Sequence, residues 1–442
     1  MTQKLSRRLS LIDCTAVVIG STIGTGIFIV PGSIAQSLPR AEWILSVWVI
    51  TGLLTFCGAM AFAELGAMIP STGGQYVYLR EAYGPLCAFL CGWAFLLIIQ
   101  SGTIAAKAAG FAIYLLYLAP LHPVWGQIAA LSMIALLTFV NYRGVRFGAR
   151  VQNIFTLLKL TGLATVIIGA YLAQPVSRTA TSTAAPFQWS HFGVAMVACL
   201  FAYEGWNKVT FIAGEIQRPE QNLKRSLVLG LAVVIGVYLL ANLSYLRVLP
   251  IDEIASTRRV AALAAERAMG AAGAVVVTLS ILVSIIGSTN GGMMTTPRVY
   301  FAMARDGLFF KQFGEVHPRF QTPAFAILLQ GVWAAVLTLS GSFDALASYA
   351  IFSAWLFYAL TVAAVIVLRR KQPEMARPYR MWGYPFTAIL FVVVSLWLVS
   401  NTVVSNPWPS LIGIAIIGSG VPAYFLLRRA AAVPEERRMD SI

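Results

Sequence analysis

The chain has 442 residues, 58% of them hydrophobic and only 11% charged, against about 25% charged in soluble domains. That balance excludes a soluble globular protein, because the apolar residues arrive in blocks that match a hydrocarbon core of about 30 Å. The formal net charge of +15 does not indicate a nucleic-acid partner, since the basic residues punctuate the apolar blocks instead of forming a patch with interleaved aromatics.

In chain order, the apolar stretches predict about twelve transmembrane helices near 11–36, 42–69, 84–117, 123–141, 151–173, 191–213, 225–248, 271–304, 323–341, 344–368, 384–404 and 408–428. The expected fold class is therefore an all-α polytopic membrane protein. The first run follows Lys4, Arg7 and Arg8 as a signal sequence would, but lacks a small-residue cleavage site and is read as a retained span. The third and eighth stretches exceed what a bilayer needs, which predicts tilt or protrusion. Cys14, Cys57, Cys87, Cys91 and Cys199 lie in or beside apolar runs with no metal-ligand or disulfide spacing, so packing is their expected role.

Sorting the 32 Lys and Arg residues between alternate loops sets the expected sidedness. With the N-terminus cytoplasmic, most fall inside; Arg40, Arg178, Arg247, Arg258, Arg259 and Arg267 fall outside or at the outer edge, and Lys107, Lys159 and Lys208 lie within spans. This asymmetry places both termini in the cytoplasm and makes 249–270 the main external excursion.

Two spans carry interruptions. The first contains GSTIGTGIF, residues 20–28, and the sixth contains Tyr203-Glu204-Gly205-Trp206-Asn207-Lys208. Each glycine weakens a helix by about 1 kcal/mol relative to alanine, and freed backbone survives at membrane depth only where protein or a watery cavity covers it. Breaks at positions one and six imply a five-plus-five inverted repeat and point to a transporter's central site. The expected organisation is an N-terminal segment 1–10, a first repeat 11–173, a second repeat 191–368, two further helices in 384–428 and a cytoplasmic tail 429–442.

Unwinding near Gly24, Thr25 and Gly26 would expose N–H groups at the start of a half-helix. That is an anion site suited to a substrate carboxylate, with the hydroxyls of Thr22 and Thr25 as further donors. The competing reading is that small residues let helices pack closely. The sixth-span break offers carbonyls for an ammonium group, and Phe201, Tyr203 and Trp206 offer bulk for gating. Glu204 is costly in a membrane, so it is expected to be protonated, paired with Lys208 one turn later, or in contact with a cationic substrate group. Lys159, eight residues into span five, is expected to bond the unwound backbone of span one. Its role is either a static stand-in for a sodium ion or a proton carrier. Lys107 is read as a snorkelling residue nearer the outer side. Gln100, Ser101, Ser288, Thr289 and Asn290 are candidate cavity walls, with Gln100 and Asn290 preferred over interhelical glue.

These segments resemble the amino acid–polyamine–organocation (APC) superfamily. GSTIGTGIF is similar to its first-helix motif, FAELGAMIPSTGGQYVYLREAYGP (62–85) to its second-to-third-helix signature, and FAYEGWNKVTFIAGEIQRPEQNLKRS (201–226) to its sixth helix and following loop. GSTNGGMMTTPRVYFAMARDGLFF (287–310) resembles the eighth helix, and ARPYRMWGYP (376–385) the loop before helix eleven in the L-type amino acid transporter (LAT) branch. The resemblance implies a LeuT-type fold, alternating access and an amino acid substrate. It puts carboxylate binding on the backbone of Thr25, Gly26 and Ile27, and amino-group binding on carbonyls near Ile19, Thr22, Phe201 and Ala202. It also puts the aromatic gate on Phe201 and the LAT-type lysine on Lys159. Glu204 departs from the small or neutral residue often found there. Gly292 stands where some arginine-handling relatives have a bulky aromatic, so cationic specificity is not carried over.

The expected function is secondary transport of small to medium neutral L-amino acids, by exchange or proton coupling. The alternatives are a cationic amino acid or polyamine carrier using Glu204, and a channel. No ring of like residues suggests a channel filter. His122, His191 and His317 show no metal-binding spacing, so neither enzyme activity nor a cofactor is expected. The expected setting is a cell membrane, of the bacterial inner-membrane kind, as monomer or homodimer. The 119–123 loop has no cysteine for a disulfide-linked heavy chain of the animal LAT type.

Overall fold

The computed structural model describes residues 5–176, 187–340, 343–405 and 407–439. Arg178, residue 341 of the ninth expected span, and residues 440–442 of the tail lie outside that set. Among the described residues every regular element is helical, apart from one parallel bridge between Leu9 and Ile216.

The first span is two helices, α1 (Leu11–Thr22) and α2 (Gly26–Ser37). Ser10 starts α1 with a capping box: Asp13 N donates to Ser10 Oγ at 3.3 Å and Ser10 N donates to Asp13 Oδ2 at 2.9 Å. Next come α3 (Ala41–Met68), the short α4 (Gln75–Tyr83), then α5 (Pro85–Ala94) and α6 (Gln100–Leu118), which a π-helical turn at Phe95–Ile99 joins into one long span. α7 (Pro123–Tyr142) and α8 (Val145–Leu172) follow. The sixth span is α9 (Trp189–Ala202) followed by a 3-10 helix, Trp206–Glu215. Beyond it lie α10 (Pro219–Val248), α11 (Ile251–Ser256), α12 (Val260–Thr295), α13 (Pro297–Arg305), α14 (Ala324–Ser340), α15 (Phe343–Lys371), α16 (Phe386–Ser405) and α17 (Pro407–Met439). α12 contains a non-helical residue, Gly270, so its membrane portion starts where the eighth apolar stretch was predicted to start.

Among the described residues ten helical stretches are long and apolar enough to cross a bilayer, and the chain is an all-α multi-pass membrane protein. α14 is a shorter apolar helix, and the break in the sixth span leaves neither half at full length. α8 and α10 begin about two turns before their apolar runs, on Arg- and Lys-bearing sequence at the predicted cytoplasmic edge.

Burial separates the centre from the rim. The apolar window of α1–α2 is 89% buried, whereas those of α16 and α17 are each 22% buried. α1 packs on α10, α8 and α12, and α2 packs on α9. The two interrupted spans therefore sit in the middle of the bundle, where other helices cover their free backbone groups.

Candidate functional site

The break in the first span is a short extended link. Ile23 (φ −72°, ψ 98°) leaves the helix, and α2 restarts at Gly26 without a side-chain cap on Thr25. The N–H groups of Gly24, Thr25, Gly26 and Ile27 have no acceptor among the described residues, and neither does the buried Thr25 hydroxyl. Each such group costs several kcal/mol in a dry interior. Four consecutive donors at a helix N-terminus form an anion site. The expectation for Thr22 needs correcting: its hydroxyl donates to Val18 O at 2.7 Å, back into α1, so it does not face the break as a donor.

Lys159 reaches the other side of the same link. Its Nζ donates to Gly20 O at 2.7 Å, Ile23 O at 2.6 Å and Ser284 O at 3.2 Å. Three carbonyls thus surround one ammonium that is fully buried. The contact predicted between span five and the unwound backbone of span one is present, with α12 supplying the third oxygen.

In the sixth span, α9 ends at Ala202 and Gly205 takes φ +118°, a left-handed conformation that suits glycine. A Cβ on Gly205 would stand 2.7 Å from Ser21 O, and one on Gly26 would collide with the backbone of Ala202. The breaks are thus pressed against each other, and Gly26 and Gly205 permit the approach. Tyr238 of α10 joins them, its hydroxyl lying 3.1 Å from Thr22 O and 2.7 Å from Ala202 O. Sequence reasoning missed Tyr238; the available signal was a hydroxyl-bearing aromatic deep in an apolar run, which needs a partner when buried.

Several predicted amino-group acceptors are already in use. Ile19 O accepts from Ile23 N at 2.9 Å and Phe201 O from Glu204 N at 3.3 Å. Tyr203 points away from the breaks, donating to Trp48 O at 3.2 Å and packing on Trp48 and Tyr238. Phe201 retains 8% exposure and Glu204 the same. Of the three states expected for Glu204, the pair with Lys208 is the one formed, at 3.1 Å, with the Tyr358 hydroxyl at 3.5 Å. Tyr358 continues to Asn207, and Asn207 to Gln75.

The predicted cavity walls separate. Gln100 accepts from Thr296 Oγ1 at 3.1 Å and lies against Gly292, where any Cβ would strike its amide. Asn290 is instead saturated by α7 and α8: its Oδ1 accepts from Asn141 Nδ2 at 2.9 Å, and its Nδ2 donates to Gln152 Oε1 at 2.8 Å and Gly148 O at 3.1 Å. It ties three helices together and is not among the residues gathered at the breaks. Lys107 also departs from expectation. It is only 5% exposed, so it does not snorkel, and its Cε lies 3.5 Å from where a Cβ on Gly24 would be. A lysine in the outer half of a long span reads as snorkelling from sequence because its helical face is not legible there.

Comparison with known proteins shows the family. Residues 9–421 match the model of the amino acid permease family. The chain belongs to this family. It is 34% identical over 438 residues to the human b(0,+)-type amino acid transporter 1, covering 96% of this chain and 88% of that one. It is 32% identical over 432 residues to the serine/threonine exchanger SteT of Bacillus subtilis, covering 97% and 98%. The human large neutral amino acids transporter small subunit 2 is 33% identical over 444 residues, covering 96% and 80%. The permease is thus an APC-superfamily member of the LAT-like branch: a membrane-embedded amino acid transporter and not an enzyme.

Proposed function

We propose that this permease exchanges small to medium neutral L-amino acids by alternating access, binding each as a zwitterion between the two helix breaks. The observation that carries the reading is the run of four acceptorless N–H groups, Gly24 to Ile27, beside the free Thr25 hydroxyl. The substrate carboxylate occupies these donors, and its ammonium group faces the second lone pairs of the Thr22 and Ala202 carbonyls. Phe201 covers the substrate as a gate and Gln100 forms a wall of the side-chain space. The similarity to a serine/threonine exchanger supports both exchange and a modest side-chain volume.

Lys159 acts as a fixed cation. All three of its donors are engaged by backbone oxygen, which favours a static ammonium over one that leaves and returns. The Glu204 charge is countered by Lys208, which disfavours a cationic side chain or polyamine as the preferred cargo. Residues 11–173 and 191–368 form the LeuT-type inverted repeats that rock against each other, with 384–428 outside them. The excess of basic residues in alternate loops supports a cytoplasmic position for both termini, in a membrane of the bacterial inner kind. The protein works as a monomer or homodimer without a disulfide-linked heavy chain.

Counterflow in proteoliposomes tests this reading. Labelled serine, threonine and alanine should accumulate when unlabelled substrate is inside, and little when the lumen is empty. Equal accumulation in empty liposomes driven by a pH gradient would replace exchange with proton coupling, and flux that never saturates would restore the channel.

A further inference from the structure

Four ionic side chains surround the breaks, and three of them are accounted for. Lys208 is paired with Glu204, and Lys159 is held by three carbonyl oxygens. Lys107 has neither kind of partner. It is 5% exposed and forms no hydrogen bond among the described residues, while its charge lies within range of Lys208, Glu204 and Lys159. Its Cε stands 3.5 Å from the Cβ position of Gly24, and Ser288 Oγ stands 3.0 Å from the same point. The end of the Lys107 side chain therefore lies beside Gly24, the first of the four donor residues, on the α6 side.

An ammonium held this deep without a counter-charge is costly, and the cost is relieved when the amine gives up its proton or when an anion joins it. A neutral amino acid brings one carboxylate, which four N–H donors and a hydroxyl already satisfy, and it adds no net charge. An amino acid with an acidic side chain brings a second carboxylate and one net negative charge, which suits the one lysine at the breaks that has neither a carboxylate nor carbonyl oxygens on its ammonium group. We infer that Lys107 binds the side-chain carboxylate of dicarboxylic amino acids of the size of aspartate or glutamate, extending the permease's substrate range beyond neutral side chains. This rests on the placement of substrate between the two breaks.

The approach along α6 agrees with this assignment. Gln100, Lys107 and Tyr114 follow at seven-residue intervals and are all buried on one face. Tyr114 opens into a cavity of about 120 Å³ that Ser33, Gln36, Thr257 and Arg258 also line, and none of its lining residues is acidic. Arg259 stands beside it, its guanidinium 3.8 Å from the Tyr117 ring and one of its nitrogens without an acceptor. In the proposed orientation this is the outer mouth, and Arg259 lies on the approach to Lys107.

The test uses the full chain in proteoliposomes loaded with serine, comparing exchange of labelled serine, aspartate and glutamate by wild type, Lys107→Met and Lys107→Arg. Wild type should exchange at least one acidic amino acid. Lys107→Met should lower the acidic-to-serine uptake ratio tenfold or more, and Lys107→Arg should keep most of that ratio. Wild-type exchange of serine with no exchange of aspartate or glutamate would overturn the inference and leave the proposed function standing. An equal loss of all three substrates in Lys107→Met would overturn it too, assigning Lys107 to the α-carboxylate or to the scaffold. Failure of wild type to exchange any amino acid would refute the underlying function itself.

Discussion

Replacing Tyr238 by phenylalanine removes one oxygen and little else. The ring stays packed on Trp48 and Tyr203, with centroids 5.4 and 5.0 Å away. The hydroxyl it deletes is the one lying between Thr22 O and Ala202 O, at 3.1 and 2.7 Å. In a soluble core, stranding buried carbonyls costs about 1–3 kcal/mol each. Within membrane bundles, coupling across one hydrogen bond averages only about 0.6 kcal/mol, because a freed group finds other partners. One proton shared by two acceptors belongs between these limits, at about 1–2 kcal/mol. The variant should unfold a few degrees below wild type in detergent. Its apparent affinity for serine in counterflow should also change by several-fold, since both carbonyls sit where the substrate ammonium is proposed to bind. A Tyr238→Phe protein with wild-type melting temperature and wild-type half-saturation for serine would refute the claim that this hydroxyl couples the two breaks.

Lys159→Met removes the ammonium from three carbonyls, of which Ile23 O keeps the Ser284 hydroxyl, so it should lose about 1–3 kcal/mol of stability per stranded carbonyl and exchange at a small fraction of the wild-type rate; thermal unfolding and counterflow on one preparation check both. Gly205→Ala forces a Cβ to within 2.7 Å of Ser21 O at φ +118°, and should abolish exchange even where folded protein is recovered by size-exclusion chromatography. Glu204→Gln leaves Lys208 buried without its counter-charge, so it should destabilise more than the double variant Glu204→Gln, Lys208→Met, as a double-mutant cycle read by thermal shift will report. Asn290→Leu should cost about 1–3 kcal/mol through the stranded partners on α7 and α8 while leaving the half-saturation for serine near wild type, which separates its interhelical role from the substrate space.

Sequence alone determined the solvent, the order of apolar blocks, and the two places where the helix gives way. These are local properties: hydropathy over a span, and the density of glycine and hydroxyl residues in GSTIGTGIF and around Gly205, need no partner to be expressed. Lys159 was legible for a related reason, since a lysine deep in a span must find oxygen. Which oxygens, and which face each polar residue presents, were decided by tertiary packing. Thr22 turned back onto its own helix, Asn290 was saturated by α7 and α8, and Tyr203 was drawn to Trp48. Tyr238 and Lys107 gained their positions only because α10 and α6 deliver them to the breaks. In an apolar medium a polar side chain takes the best partner that folding brings within reach, four residues away for Thr22 but 36 and 216 residues away for Tyr238.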